Sequence, residues 1–304
     1  MTAREWFQKA QNEGFAIGAF NVDNLEIFRA VCMAAKKMKS PVMLEFSPGE
    51  VGYFGIDNII DLVKNAREHF EIPILLNLDH AKKVEDCLVA VNTISDTVSE
   101  MRLRSGTGRT GFDLIHFDGS DLSFDENVES TKKVVGAAHA KGLLVEGEID
   151  KVSGSSEVHG QDLDLGTLKK SYTDPARAAK FVAETDVDIF ASVFGNVHGT
   201  FPNQPDLDFD LLGKIREALP ETFLSLHGGS GIPADQVKEA IKIGKIVKIN
   251  VNTELRQAFK DALSEELGEN PEQSTYYKLT PDIIEAVMAV VEGKIEVFGS
   301  VGKV

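Results

Sequence analysis

The sequence predicts an α/β protein built as one (β/α)8 TIM barrel, a single domain over residues 1–304. Three observations carry this prediction. Eight short apolar runs recur along the chain, amphipathic helical stretches alternate with them, and no linker rich in Pro, Gly or Ser divides the sequence. Alternating strands and helices make a parallel sheet, and eight units in one chain favour a closed barrel over an open doubly wound sheet. Length leaves the choice open, since 304 residues suit one large barrel or two average domains.

In order, the runs are 15–21, 42–48, 74–79, 113–119, 143–149, 188–194, 223–229 and 246–252, each followed by a polar or glycine-containing turn. Between them lie stretches of helical periodicity such as 56–70, 126–141, 174–184 and 233–243. Asp174 followed by Pro175 reads as a helix cap and first-turn proline. Residues 101–111, rich in Arg, Ser, Gly and Thr, read as an irregular loop before the fourth strand, with no function assigned.

A barrel places its chemistry at the C-terminal ends of the strands, often with a phosphate site after the seventh and eighth. Asn21, Ser47, Asp79, Asp118, Glu148, His198, His227 and Asn252 all fall at or just beyond such ends. In the eighth run Lys248, Asn250 and Asn252 alternate with Ile249 and Val251, so one polar face looks into the barrel. A purely structural interior would be mostly branched aliphatics, so that face reads as a site.

Composition narrows the partners. A formal charge of -16 excludes a nucleic-acid or anionic-membrane surface, which needs basic patches. It still permits a bound phosphate, provided the site brings a metal ion, an Arg or Lys, or helix N-terminal N–H groups. No apolar run approaches the roughly 20 residues that span a bilayer, and residues 1–10 show no secretory pattern. Cys32 and Cys87 both lie on helical stretches and read as buried reduced thiols, with a cytoplasmic location as the default.

Three segments carry the chemistry: Leu78-Asp79-His80-Ala81, Gly195-Asn196-Val197-His198-Gly199 and Leu226-His227-Gly228-Gly229-Ser230-Gly231. Each ends an apolar run with a histidine beside glycine or an acid, and three imidazoles on one rim make an open divalent-metal site. Zinc suits neutral imidazoles, with cobalt and manganese as alternatives. Regular alternation would put Asp79 and His80 on opposite faces, so both reach the pocket only if the strand ends at Asp79. Of the other histidines, His69 and His139 sit late in helices in solvated or capping roles, and His159 reads as exposed. His116 shares the inward face with Asp118 and fits a buried structural role as well as a site role.

The run from His227 to Pro233 leads into a helix, which leaves its backbone N–H groups free for an anion. With Asn250, Asn252 and Thr253 at the next strand end it outlines a phosphate pocket, and Arg256, one turn further on, is placed to meet a second phosphate.

As an ordered set, these stretches resemble the class II, metal-dependent fructose-bisphosphate aldolases within the ketose-bisphosphate aldolase group. Gly18-Ala19-Phe20-Asn21, Phe117-Asp118-Gly119-Ser120, Val145-Glu146-Gly147-Glu148, Lys248-Ile249-Asn250-Val251-Asn252-Thr253 and Phe298-Gly299-Ser300-Val301-Gly302-Lys303 extend the likeness through the chain. The resemblance implies His80, His198 and His227 as zinc ligands, Glu148 as a second-shell or alternative ligand, and Asp79 as the acid/base. It implies that Gly199, Gly228, Ser230, Asn252 and Thr253 hold the C1 phosphate, with Asn21, Ser47, Asn250 and Arg256 also on the substrate. It further implies a sugar-bisphosphate substrate, a homodimer or larger homo-oligomer, and room for a monovalent cation beside the zinc.

Two segments depart from the family pattern. The paired acids usual after the fifth strand are replaced by Ser153-Gly154-Ser155-Ser156-Glu157, leaving Glu157 as the candidate for the C3 proton. After Gly199, Thr200-Phe201 stands where the family often has an aromatic and a lysine. The expected reaction is reversible cleavage of fructose 1,6-bisphosphate to dihydroxyacetone phosphate and glyceraldehyde 3-phosphate, with tagatose 1,6-bisphosphate as the alternative sugar. A non-catalytic sugar-phosphate-binding relative and a metal-free phosphate-binding isomerase are the competing classes. A Schiff base at Lys248 fits less well than the metal route.

Overall fold

The structure, a computed structural model, describes residues 1–93 and 111–304. The irregular loop predicted at 101–111 therefore lies outside the described residues, Gly111 excepted. The ten strands among them are β1 (Ile17–Asn21), β2 (Val42–Phe46), β3 (Ile74–Ala81), β4 (Leu114–Asp118), β5 (Leu144–Glu148), β6 (Gly154–Val158), β7 (Ile189–Ala191), β8 (His198–Thr200), β9 (Phe223–Leu226) and β10 (Ile246–Val251). Eight of them close a parallel barrel in the order β1-β10-β9-β7-β5-β4-β3-β2, while β6 and β8 form a separate two-stranded sheet. Every predicted run contains one barrel strand, and β3 runs on past its predicted end.

Helices α1 (Ala3–Glu13), α2 (Leu25–Met38), α3 (Pro48–Phe54), α4 (Ile56–Phe70), α5 (Val84–Asn92), α6 (Phe124–Ala140), α7 (Leu165–Leu168), α8 (Pro175–Thr185), α9 (Phe209–Ala218), α10 (Ala234–Gly244), α11 (Thr253–Glu269) and α12 (Thr280–Val297) occupy the connections and the two chain ends. Their starts follow local chemistry. Asn24 accepts from Ile27 N to open α2, and Asp174 accepts from Arg177 N to open α8 with Pro175 in its first turn. No helix among the described residues is long and apolar enough to cross a membrane.

Alternation along the strands sorts side chains between two cores. Outward residues such as Leu44, Leu76, Ile115, Val145, Phe190, Leu224 and Ile249 pack against the helices. Inward residues change character with height. At the bottom Ala19, Met43, Leu75, Leu114, Leu144, Ile189, Phe223 and Val247 form an apolar layer capped by Trp6, Phe7 and Ala10 of α1. Each such aromatic or aliphatic side chain contributes roughly 1.5–3 kcal/mol by leaving water. One step higher sit Glu45, Asn77, His116, Glu146, Ser225 and Lys248, all buried, and above them Asn21, Asp79, Asp118, Glu148, His227 and Asn250. The apolar floor carries the stability, and the polar layers above it build the site.

A register shift between Ile246 and Lys248 turns both Val247 and Lys248 inward, which lets β10 serve both the apolar and the polar layer. Helix α4 is tied to the barrel by a buried ion pair, with Arg67 Nη2 donating to Asp113 Oδ2 at 2.6 Å and Arg67 Nε to Ile74 O at 2.8 Å. Cys32 on α2 and Cys87 on α5 are buried free thiols, as their helical periodicity predicts.

Candidate active site

The strand ends open into a cleft of about 370 Å³ lined by Asn21, Ser47, Asp79, His80, Asp118, Glu148, His198, Gly199, Gly228, Ser230, Asn250, Asn252, Thr253 and Arg256, among others. Fourteen of the fifteen site residues predicted from sequence meet there or directly beneath, as His227 does: it is 1% exposed under His80.

Asp79 and His80 both reach the cleft, but by a different route from the one predicted. The strand does not end at Asp79. It continues to Ala81, its register against β4 shifts between Leu78 and Ala81, and His80 takes φ 50°, in the left-handed region. That single residue breaks the alternation, so neighbouring side chains share one face. The His80 N–H, turned by the same kink, donates to His116 Nδ1 at 3.1 Å.

His198 is also carried differently. It opens β8, and its N–H donates to Ser153 O, the residue just before the partner strand β6, at 2.7 Å. The two strands approach closely at Gly199, φ 91°, where a Cβ would stand 2.4 Å from Ser155 O.

The imidazoles converge. His80 Nε2 lies 2.9 Å from His227 Nδ1, and the His198 ring centre is 5.0 Å from that of His80 and 6.0 Å from that of His227. Each facing ring has its other nitrogen on a carboxylate: His80 Nδ1 lies 3.2 Å from Asp118 Oδ2, and His227 Nε2 lies 2.9 Å from Glu146 Oε1. A carboxylate accepts the ring N–H, so in the neutral form of each ring it is the facing nitrogen that bears the lone pair. Two such nitrogens 2.9 Å apart, with carboxylates behind both rings, fit a divalent cation. Ligand atoms of Asp79, His80, His116 and His227 lie within 4.8 Å of one another, as do those of His80, Asp118 and Glu148.

Electrostatics divide the three rings. Burial lowers His227 to about 4 and, with its two imidazole neighbours, holds His198 well below the usual range, so both favour the neutral, ligating form. Burial also opposes charge on His80, but Asp79, Asp118 and Glu148 outweigh it and raise that ring to about 10. Burial works against the Asp79 carboxylate too, yet His80, His116 and Lys248 hold it well below the usual range. Glu148 goes the other way, pushed well up by burial and by Asp118. Asp79 is fixed by two amides, accepting from Asn21 Nδ2 at 3.3 Å and Asn250 Nδ2 at 3.2 Å.

Several expectations are corrected. Not every N–H of the glycine turn is free, because Gly229 N donates to Asn250 O at 2.8 Å and Gly231 N to Glu254 Oε1 at 2.7 Å. The Arg256 guanidinium borders the cleft but is held by Asp23 at 2.6 Å and Glu50 at 3.0 Å. Glu157 is exposed on β6 and stands outside the cleft lining, since alternation on a mostly exposed strand sends its side chain away from the rim. His159 is half-buried, not exposed, and stacks on Phe201 with ring centres 4.1 Å apart. Lys248 lies fully buried below the histidines between Glu45 and Glu146, which hold it protonated against the cost of burial and unfit for a Schiff base.

Sequence reasoning missed Lys82 and Lys151, which line the cleft mouth and both engage Asp121. Their signal was position, directly after His80-Ala81 and directly after the fifth run. Glu45 and Glu146 were also missed as partners, although parity puts each on the inward face with Met43 and Leu144.

A closed parallel barrel with a histidine and carboxylate cation site at its C-terminal rim defines a metal-dependent enzyme of the TIM-barrel type. The chain belongs to the class-II fructose-bisphosphate aldolase family, whose model matches residues 1–303. It is 36% identical over 316 residues to a fructose-bisphosphate aldolase from Streptococcus pneumoniae, covering 100% of this chain and 99% of that one. It is 35% identical to one from Geobacillus stearothermophilus, covering 100% and 98%. Among solved structures, the YdjI aldolase from Escherichia coli K12 superposes with TM-score 0.79 at 31% identity, over 99% of this chain and 97% of that one. A putative fructose-1,6-biphosphate aldolase from Coccidioides immitis gives TM-score 0.81 at 28% identity, over 99% and 97%.

Proposed function

We propose that this protein reversibly cleaves fructose 1,6-bisphosphate to dihydroxyacetone phosphate and glyceraldehyde 3-phosphate, with zinc held by His80, His198 and His227. The observation that carries this reading is the pair of facing ring nitrogens on His80 and His227 beside the amide-fixed carboxylate of Asp79, on the floor of one cleft. Zinc there would polarise the ketose carbonyl and stabilise the negative charge left as the C3–C4 bond breaks.

The chain's own groups do the rest. Asp79, ionised and oriented by Asn21 and Asn250, takes the proton from the C4 hydroxyl during cleavage and returns it during condensation. Gly199, Gly228, Ser230, Asn252 and Thr253 surround the C1 phosphate, with Asn252 and Thr253 at the N-terminus of α11, where the helix dipole favours an anion. Glu148 lies beside His80 and Asp118, with Oε1 3.9 Å from His80 Nδ1, where it would back the metal ligands. Ser47 and Arg256 also line the cleft and complete the substrate-binding set. We place the protein in the cytoplasm, where its two unpaired thiols stay reduced, as a homo-oligomer of single-domain chains.

The test is fructose 1,6-bisphosphate cleavage before and after chelation, with zinc then added back, and tagatose 1,6-bisphosphate run in parallel. Activity that vanishes and returns supports the reading. Faster cleavage of the tagatose ester moves the assignment to that sugar, and indifference to chelation overturns the metal route.

A further inference from the structure

Beneath the histidines lies a buried ionic chain that the proposed chemistry does not use. Glu45, Glu146 and Lys248 are all 0% exposed, on three different strands. Lys248 Nζ donates to Glu146 Oε2 at 2.7 Å and to Glu45 Oε1 at 2.8 Å, and Asn77 Nδ2 donates to the same Glu45 oxygen at 2.8 Å. The other Glu146 oxygen meets Ser225 Oγ at 2.5 Å and His227 Nε2 at 2.9 Å. Such a triad is an expensive way to fill a barrel, since well-packed apolar residues of similar volume are commonly as stable or more so. Its return must lie in what it orients.

We infer that Glu146, braced by Lys248, is a positioning residue that fixes the His227 ring so that Nδ1 faces His80. Lys248 takes one carboxylate oxygen and thereby aims the other at His227. Glu45 and Asn77 hold Lys248 in turn. Glu146 touches the ligand from behind and never the reacting atoms. The inference rests on the reading that His80 and His227 share a cation, and it adds the residues that set the ring's orientation.

The test is zinc affinity of the purified protein, measured by competition with a chromophoric chelator, for the wild type, Glu146→Gln and the double variant Glu146→Gln/Lys248→Met. Both variants are expected to bind zinc 10- to 100-fold more weakly, the usual cost of losing an outer-shell partner. Glu146→Gln alone leaves Lys248 paired with Glu45, so no buried charge loses every partner, whereas the double variant leaves Glu45 on Asn77 alone and tests the brace together with the carboxylate. Affinity within twofold of wild type in a folded variant overturns the inference. Should neither variant fold, 15N-histidine NMR of the zinc-loaded wild type decides, with a protonated His227 Nε2 expected and a metal-bound Nε2 overturning it. A wild type that binds no zinc defeats the metal reading itself, which is a different result from equal binding by wild type and variants.

Discussion

His80 Nε2 and His227 Nδ1 face each other across 2.9 Å, while Asp118 and Glu146 hold the far nitrogens of the same two rings. With carboxylates behind both rings, the two facing nitrogens are the ones left to hold a cation. His80 is carried by β3 and His227 follows directly on β9, so it is closure of the barrel that brings the two rings together.

Replacing either facing ring should therefore empty the centre. His80→Ala and His227→Ala are each expected to lower bound zinc, measured by elemental analysis, to well under one equivalent, with cleavage falling at least about 100-fold. Full zinc occupancy in both variants would show that the cation sits elsewhere.

Asp79→Asn keeps the shape and removes the base. The expected result is a kcat reduced about 10²- to 10⁴-fold with KM little changed and zinc retained, read from steady-state kinetics alongside metal content. A kcat within tenfold of wild type would transfer the C4 proton to another group.

Gly228 has φ 67°, and a Cβ there would stand 1.9 Å from Val197 O. Gly228→Ala must pay roughly 1–2 kcal/mol for the left-handed backbone and push the 197–198 segment aside as well. Both a lower melting temperature and a higher KM for the sugar phosphate are expected, because the displaced segment leads into His198 and Gly199. An unchanged KM would remove the turn from the phosphate pocket.

Arg67→Met breaks the buried pair with Asp113, whose carboxylate also accepts from Leu76 N at 2.9 Å. Losing one partner of such a pair costs about 3–5 kcal/mol, which a denaturant titration will read directly. A loss under about 1 kcal/mol would mean the pair is readily replaced.

Burial pushes the Cys87 thiol up to about 12 and raises Cys32 further, so neither forms thiolate near neutrality. A disulfide reagent such as DTNB should titrate no thiol in the native protein at pH 7–8 and two in denaturant. Native reaction at either site would indicate local opening of α2 or α5.

The eight strand positions, the Asp174 cap and the inward faces of Asp118 and Asn250 were legible in the sequence, because each follows from residues within a few positions of one another: a 2- or 3.6-residue period, or a cap beside its helix. Tertiary structure alone decided the rest. Asp79 and His80 share a face because pairing with β4 slips and His80 goes left-handed, an outcome set by the neighbouring strand. His198 is placed by β6, and the same small sheet leaves Glu157 outside the cleft. Parity turns Glu45, Glu146 and Lys248 inward, but which carboxylate reaches His227 depends on the stagger of strands far apart in sequence, and no local pattern encodes that stagger.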